Sequence, residues 1–259
     1  VPKLLTALLL AVGLPAQAQG TLSVCYDDWA PYVTYNSRSG HSGLSFDLLN
    51  EIFGVMHYKL RFQSATQERC LAAARAGKVD IMLFADAEML PKWQLSRVPM
   101  EFWLLAAWVP KDAPPSRFAS LAQFHGQRVG WVRDYIYPAP VQQFNGWQKV
   151  PIGDAIDGLR QLSARRVDVM FEDVFWTERM RRQHKLQIRM LTPLVAAQPQ
   201  FLALRPGLAK LAEVFDSELN ARIRSGEMDL RYRAVLGVSY DAVRRGDYAR
   251  ALVAETATP

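Results

Sequence analysis

From Thr21 onward, apolar residues recur first at strand spacing and then at helix spacing, and the change repeats. Residues 22–26 form a short apolar run that predicts a buried strand, and the loop Asp27-Asp28-Trp29-Ala30-Pro31-Tyr32 carries acids and a proline that stop regular structure. Leu44, Leu48 and Ile52, with Leu49, Phe53 and Met56, fall at the spacing of an amphipathic helix. Residues 58–62 alternate as a strand. Thr66 is placed to cap a second helix over 70–76, Gly77 to end it, and residues 79–84 to form a third strand. This β-α-β-α-β order predicts a parallel sheet covered by helices on both faces.

The pattern then starts again. It predicts a short helix at 116–124, a strand at 128–132, an aromatic loop at 134–140 entering a helix, a weak strand near 147–150, a helix at 154–164 and a strand at 167–171. The blocks share residues as well as order. Arg75-Ala76-Gly77-Lys78-Val79-Asp80-Ile81-Met82 lines up with Ser163-Ala164-Arg165-Arg166-Val167-Asp168-Val169-Met170, each a helix end, a tight turn with a basic residue and a Val-Asp entry into a strand. Two such blocks predict two similar α/β lobes. The apolar run 102–109, ending in Lys111-Asp112-Ala113-Pro114-Pro115, is expected to cross between them. The run 200–204 after Pro199 is expected to cross back, ahead of helices at 208–224 and 229–236. A two-strand hinge favours closure around a ligand. The expected organisation is lobe one over 19–110, lobe two over 111–195, a return to lobe one over 196–238 and a tail over 239–259.

The two ends and the cysteines set the compartment. Lys3, an apolar run over 4–14, Pro15 and Ala16-Gln17-Ala18 read as a secretory signal peptide over 1–18, cut after Ala18. The run is about half of the roughly twenty residues a membrane span needs. Cys25 and Cys70 lack metal-ligand companions, and in an oxidising compartment the default is one disulfide between them, the alternative being two buried thiols. The net charge of +6 is dispersed, with Arg165-Arg166, 179–182 and Arg244-Arg245 set among acids on helical stretches; solvated helix faces account for it better than a nucleic-acid surface. There is no GxSxG, HExxH, P-loop or paired-cysteine metal signature, and His41, His57, His125 and His184 are scattered. No catalysis and no cofactor are expected.

Taken together, the chain resembles the family 3, amino-acid-type extracellular solute-binding proteins of the type II periplasmic binding fold, closest to their orphan members. The marks are Pro31-Tyr32 after the opening strand, Gly43-Leu44-Ser45-Phe46-Asp47-Leu48-Leu49, Ala76-Gly77-Lys78-Val79-Asp80, Leu95-Ser96 with Pro99, Val167-Asp168 through Asp173, and a late helix that breaks at Gly226. The resemblance implies an α/β protein of two hinged lobes. It implies a periplasmic monomer that captures a small, amino-acid-like ligand by closure and hands it to an ABC-type permease or a membrane sensor. The alternative it leaves is a cyclohexadienyl dehydratase-like enzyme on the same scaffold. Two departures stand out. The arginine that holds the ligand carboxylate in the family falls here at Met89 or Leu90, and the anion loop of lobe two reads Val132-Arg133-Asp134-Tyr135.

Ligands of open parallel sheets bind beyond the carboxyl ends of the strands, which selects the loops after each strand. Trp29 and Tyr32 are expected to stack on the ligand, against the alternative of packing within lobe one. Asp86, after the third strand, offers an acceptor for a cation or a helix cap. Arg69 sits in the first turn of a helix, where the dipole disfavours a cation, and is carried either by the ligand or by a surface salt bridge. Arg133, with Tyr135 beside it, is placed either to replace the missing carboxylate clamp or to lie exposed to solvent. Asp173, with Glu172 next to it, stands where the family places the carboxylate that receives an amino group, the alternative being a helix cap.

Overall fold

The computed structural model describes residues 20–85, 89–133 and 135–246; the expected signal peptide therefore lies outside the described residues. The chain opens with β1 (Gly20–Tyr26), a hairpin of β2 (Thr34–Asn36) and β3 (Gly40–Ser42), α1 (Leu44–Val55), β4 (Tyr58–Ser64), α2 (Gln67–Arg75), β5 (Ile81–Ala85) and the two-residue β6 (Gln94–Leu95). After β7 (Glu101–Pro110) come a 3-10 turn (Leu121–Phe124), β8 (Arg128–Val132), α3 (Ala139–Gln143), β9 (Gln148–Ile152), α4 (Ala155–Ser163), β10 (Val169–Asp173) and α5 (Val174–Gln183). The 17-residue β11 (Ile188–Leu204) follows, then α6 (Ala209–Arg224), α7 (Glu227–Leu236) and α8 (Tyr240–Arg244). The strands join in the order β4-β1-β5-β11-β7-β10-β8-β9.

The predicted repetition is present in three dimensions. In the first half β1 lies between β4 and β5, parallel to both; in the second β8 lies between β9 and β10, again parallel to both. The matched sequence blocks do the same work in each. Gly77 and Arg165 both take positive φ, 67° and 58°, to end their helices. The backbone N–H groups of Asp80 and Asp168 then donate to Ser23 and Arg128 in the first strand of their own half, at 3.0 and 2.8 Å. The Thr66 hydroxyl caps α2 by accepting from the Arg69 N–H at 3.4 Å.

The two halves are joined by β7 and β11, which run antiparallel, and β11 extends further to pair β5 and β6 of the first half. The expected crossing strand at 200–204 is therefore the end of one long shared strand. Pro193 and Pro199 hide it, because proline inside an alternating run reads as a strand break. The expected helix at 116–124 shrinks to the 3-10 turn, fastened by a capping box between Ser120 and Gln123. The strand expected at 167–171 begins two residues later, and Asp173 ends it and caps α5. The stretch expected as a tail begins with α8, whose Tyr240 is fully buried and donates to the Pro99 carbonyl at 2.6 Å.

Two details fix the geometry near the joined ends. Gly43 has φ 122°, and a Cβ there would meet the Tyr32 carbonyl oxygen at 2.4 Å, so this position requires glycine for α1 to start against the 29–33 turn. The disulfide Cys25–Cys70 ties α2 to β1, with both cysteines fully buried. Arg181 and Arg182 both engage Glu178, and Arg244 and Arg245 both engage Asp241, whereas Arg165 and Arg166 fall in the turn after α4 rather than on a helix. No helix among the described residues is long and apolar enough to cross a membrane.

Candidate functional site

Parallel strands in both halves deliver their carboxyl ends to one place, and a cavity of about 340 Å³ lies there. That is the lower range of small-molecule pockets. The first half contributes Asp27, Asp28 and Trp29 after β1, Thr66 and Gln67 after β4, and Phe84 from the end of β5. The second contributes Tyr135 after β8, Asp154 after β9, Glu172 and Asp173 at the end of β10, and Trp176 from the first turn of α5. Trp103 of β7 and Gln198 and Gln200 of β11 line it from the joining strands.

Aromatic rings are set around this space by local backbone. A tight turn, in which the Trp29 carbonyl accepts from the Tyr32 and Val33 N–H groups at 2.8 and 3.0 Å, presents Trp29 to the cavity. Phe84 takes a left-handed φ of 56°, a conformation a bulky residue rarely adopts, and its ring meets Trp29 edge-on at 4.8 Å. Across the cavity Trp103 and Tyr135 pack edge to face at 5.7 Å.

Two buried carboxyl groups share the lining with these rings. Asp173 is 3 % exposed; its Oδ1 accepts from the Trp176 N–H at 2.7 Å, while Oδ2 has no hydrogen-bond partner. Burial pushes its pKa up to about 7, and the backbone of Trp176, the Trp29 side chain and the backbone of Phe175 and Leu104 hold it from going higher. Glu172 is 1 % exposed; Oε2 accepts from the Asp173 N–H at 3.2 Å and Oε1 is unpartnered. Burial pushes this carboxyl to about 8; the Asp173 N–H opposes the rise, and the neighbouring Asp173 charge adds to it. Gln198 Oε1 is a third buried acceptor without a partner. Among the described residues no lysine, arginine or histidine lines the cavity, and no group of three or more His, Cys, Asp or Glu is placed to hold a metal ion.

The structure brings together Trp29, Tyr135, Glu172 and Asp173 from the sequence-derived set and leaves the others apart. Tyr32 is a correction: it is fully buried behind Trp29, 4.5 Å from that ring, with its hydroxyl donating to the Phe102 carbonyl at 3.4 Å, so it packs within the core. Arg69 is exposed on α2 and does not line the cavity. Arg133 is exposed too, and its guanidinium lies against Gly153 at the cavity edge rather than in the wall. Asp86 lies outside the described residues. Trp103, Gln198 and Gln200 also line the cavity, from strands rather than from the loops that the sequence singles out. Strands expected to cross between lobes must run past any cleft between them, so polar and aromatic residues on those strands were the available signal.

No protein-family model and no curated protein matches the chain. Solved structures do match, all at probability 1.00. A histidine kinase sensor domain with similarity to periplasmic binding proteins superposes with a TM-score of 0.71 at 23% identity, over 85% of this chain and 97% of that one. An ancestral arginine-binding protein bound to arginine gives 0.69 at 19% identity, over 85% and 100%. The substrate binding protein of an amino acid ABC transporter gives 0.67 at 15% identity, over 84% and 99%. A parallel sheet built twice, joined by two antiparallel strands and matched over nearly the full length of such proteins, is the two-lobed periplasmic-binding-protein fold.

Proposed function

We propose that this chain is a periplasmic solute-binding protein that captures a small polar, amino-acid-like molecule, one presenting an amino group, by closing two lobes on it. Lobe one comprises 19–110 with the return over 196–238, and lobe two comprises 111–195. The observation that carries the reading is a cavity walled from both halves and lined by buried acceptors and by aromatic rings from each half. A ligand touching both halves favours the closed arrangement through contacts the open one lacks. Trp29, Tyr135 and Asp173 are the contacts, with Glu172 beside them. The similar solved structures include transporter binding proteins and a kinase sensor domain, which supports a membrane permease or a membrane sensor as the partner. The dehydratase alternative draws no support from them.

The test is a thermal-shift screen of small polar metabolites followed by solution X-ray scattering with the best hit. Saturating ligand is expected to raise the melting temperature by several degrees and to reduce the radius of gyration. A tight ligand that leaves the scattering profile unchanged rules out closure as the mechanism.

A further inference from the structure

The cavity wall is chemically one-sided. Five carboxyl groups, from Asp27, Asp28, Asp154, Glu172 and Asp173, line it, and no cationic side chain does among the described residues. The undescribed internal positions 86–88 and 134 are Asp-Ala-Glu and Asp, which contain no cation. A carboxylate brought into this space would lose its hydration without gaining a charged donor, and would face like charges. An amino acid held by both of its charged ends therefore does not fit. An ammonium does. Glu172 Oε1 and Asp173 Oδ2 belong to side chains 1 % and 3 % exposed and have no partner, which is costly for buried acceptors unless something donates to them. Gln198 Oε1 is a third acceptor in the same wall. The faces of Trp and Tyr rings attract cations and cover the carbon skeleton that carries them.

We propose that the cavity takes a protonated organic amine carrying no carboxylate group, its N–H groups donating to Glu172 Oε1, Asp173 Oδ2 and Gln198 Oε1 and its skeleton lying among Trp29, Trp103 and Tyr135. The inference rests on the solute-capture reading and replaces its amino-acid-like ligand with an amine that lacks the carboxylate. Free N–H donors are part of the fit, so a quaternary ammonium, which has none, binds more weakly than a primary amine of similar size.

Matched pairs differing only in the carboxylate provide the test: agmatine against L-arginine, 1,5-diaminopentane against L-lysine, and 2-phenylethylamine against L-phenylalanine, with choline, succinate and glucose as further probes. Titration calorimetry on the full chain at pH 8 is expected to show at least one amine binding tenfold or more tightly than its parent amino acid. Asp173→Asn and Glu172→Gln should each weaken that amine at least tenfold, with unliganded melting curves showing that both variants fold. Arg133→Ala should leave it unchanged. An amino acid that binds as tightly as its amine, and loses affinity in Arg133→Ala, overturns the inference by locating the carboxylate on that arginine. Binding of succinate or glucose with no binding of any amine also overturns it while leaving solute capture standing. Failure of every probe, together with unchanged scattering, overturns both.

Discussion

Asp80 and Asp168 hold the same place in the two halves of the molecule: each carboxylate accepts the backbone N–H of the first strand of its half, Ser23 at 2.8 Å and Arg128 at 2.9 Å, and each meets an arginine at 2.6 Å. The arginine differs in origin. Arg205, after β11, reaches Asp80 from far along the chain, whereas Arg128 reaches Asp168 from the strand that Asp168 itself supports.

That difference predicts unequal costs. Asp80→Ala removes acceptors that tie β1, the β5 entry and the end of β11 together, and should destabilise the protein by about 1–3 kcal/mol. Asp168→Ala, at a more exposed site, should cost less. Both carboxyls are held below the usual range. For Asp80 the Ser23 and Arg205 bonds outweigh desolvation; for Asp168 the Arg128 side chain is the main cause. Their contributions are therefore present above the unfolded carboxyl pKa and are lost as pH falls through the folded one, below about 3.8. Urea denaturation of both variants checks the ranking, and equal losses would contradict it.

The Cys25–Cys70 bridge closes a loop of 45 residues. In the chain-entropy model a loop of that length is worth roughly 4 kcal/mol, or a fall of roughly 10 °C in melting temperature for a chain of this size when it is removed. Differential scanning calorimetry of Cys25→Ser/Cys70→Ser against the oxidised protein measures this. A change within a degree or two would mean that the bridge leaves the unfolded chain no more constrained.

Local chemistry made most of the fold legible. The Thr66 cap, the helix ends at Gly77 and Arg165, and the Val-Asp entries at 79–80 and 167–168 are signals carried by neighbouring residues, and each stands where the sequence put it. What depended on long-range pairing was not legible. Pro199 pairs with Phe102 inside β11, and only the β7 partner makes that stretch a strand. The site follows the same division. Asp173 and Tyr135, which the sequence places after strands, line the cavity, while Tyr32, in the same kind of loop, is buried in the core. Gln198 lines the cavity from β11, whose course is set by its pairing with β7 rather than by neighbouring residues.

Glu101 is a third deeply buried carboxyl, outside the cavity lining, and it sets a pH dependence of stability. It is 1 % exposed and accepts a hydrogen bond from Ser45 Oγ; burial pushes its pKa to about 8, against the ordinary 4.5, and the Ser45 bond offsets only part of that. A raised carboxyl pKa means that the folded state binds more protons than the unfolded one between those two values. Stability from this group is therefore full below about pH 4.5 and declines as pH rises towards 8. Glu101→Gln keeps an acceptor for Ser45 and removes the ionisation, so it should flatten that decline and stabilise the protein at pH 8.5 by roughly 3–5 kcal/mol. Melting temperatures of both proteins from pH 5 to 8.5 test this; parallel curves would sink it.

The Trp29 side chain is one of the groups holding the Asp173 carboxyl's pKa down to about 7. An amine needs the ionised carboxylate, so its affinity should rise as pH increases from 6 to 8, the interval in which Asp173 and then Glu172 lose their protons. Asp27, Asp28 and Asp154 line the same cavity. Trp29→Phe keeps a ring against Phe84 but removes the indole N–H. Without that donor the charged form of Asp173 loses support, its pKa rises further, and the pH midpoint for binding should move upward. The amine's affinity at pH 9 should fall by less than about tenfold, since most of the aromatic contact survives. Calorimetric titrations of wild type and Trp29→Phe at half-unit pH steps separate the two effects. A midpoint that stays in place, or shifts downward, would show that the indole does not act on the Asp173 carboxyl.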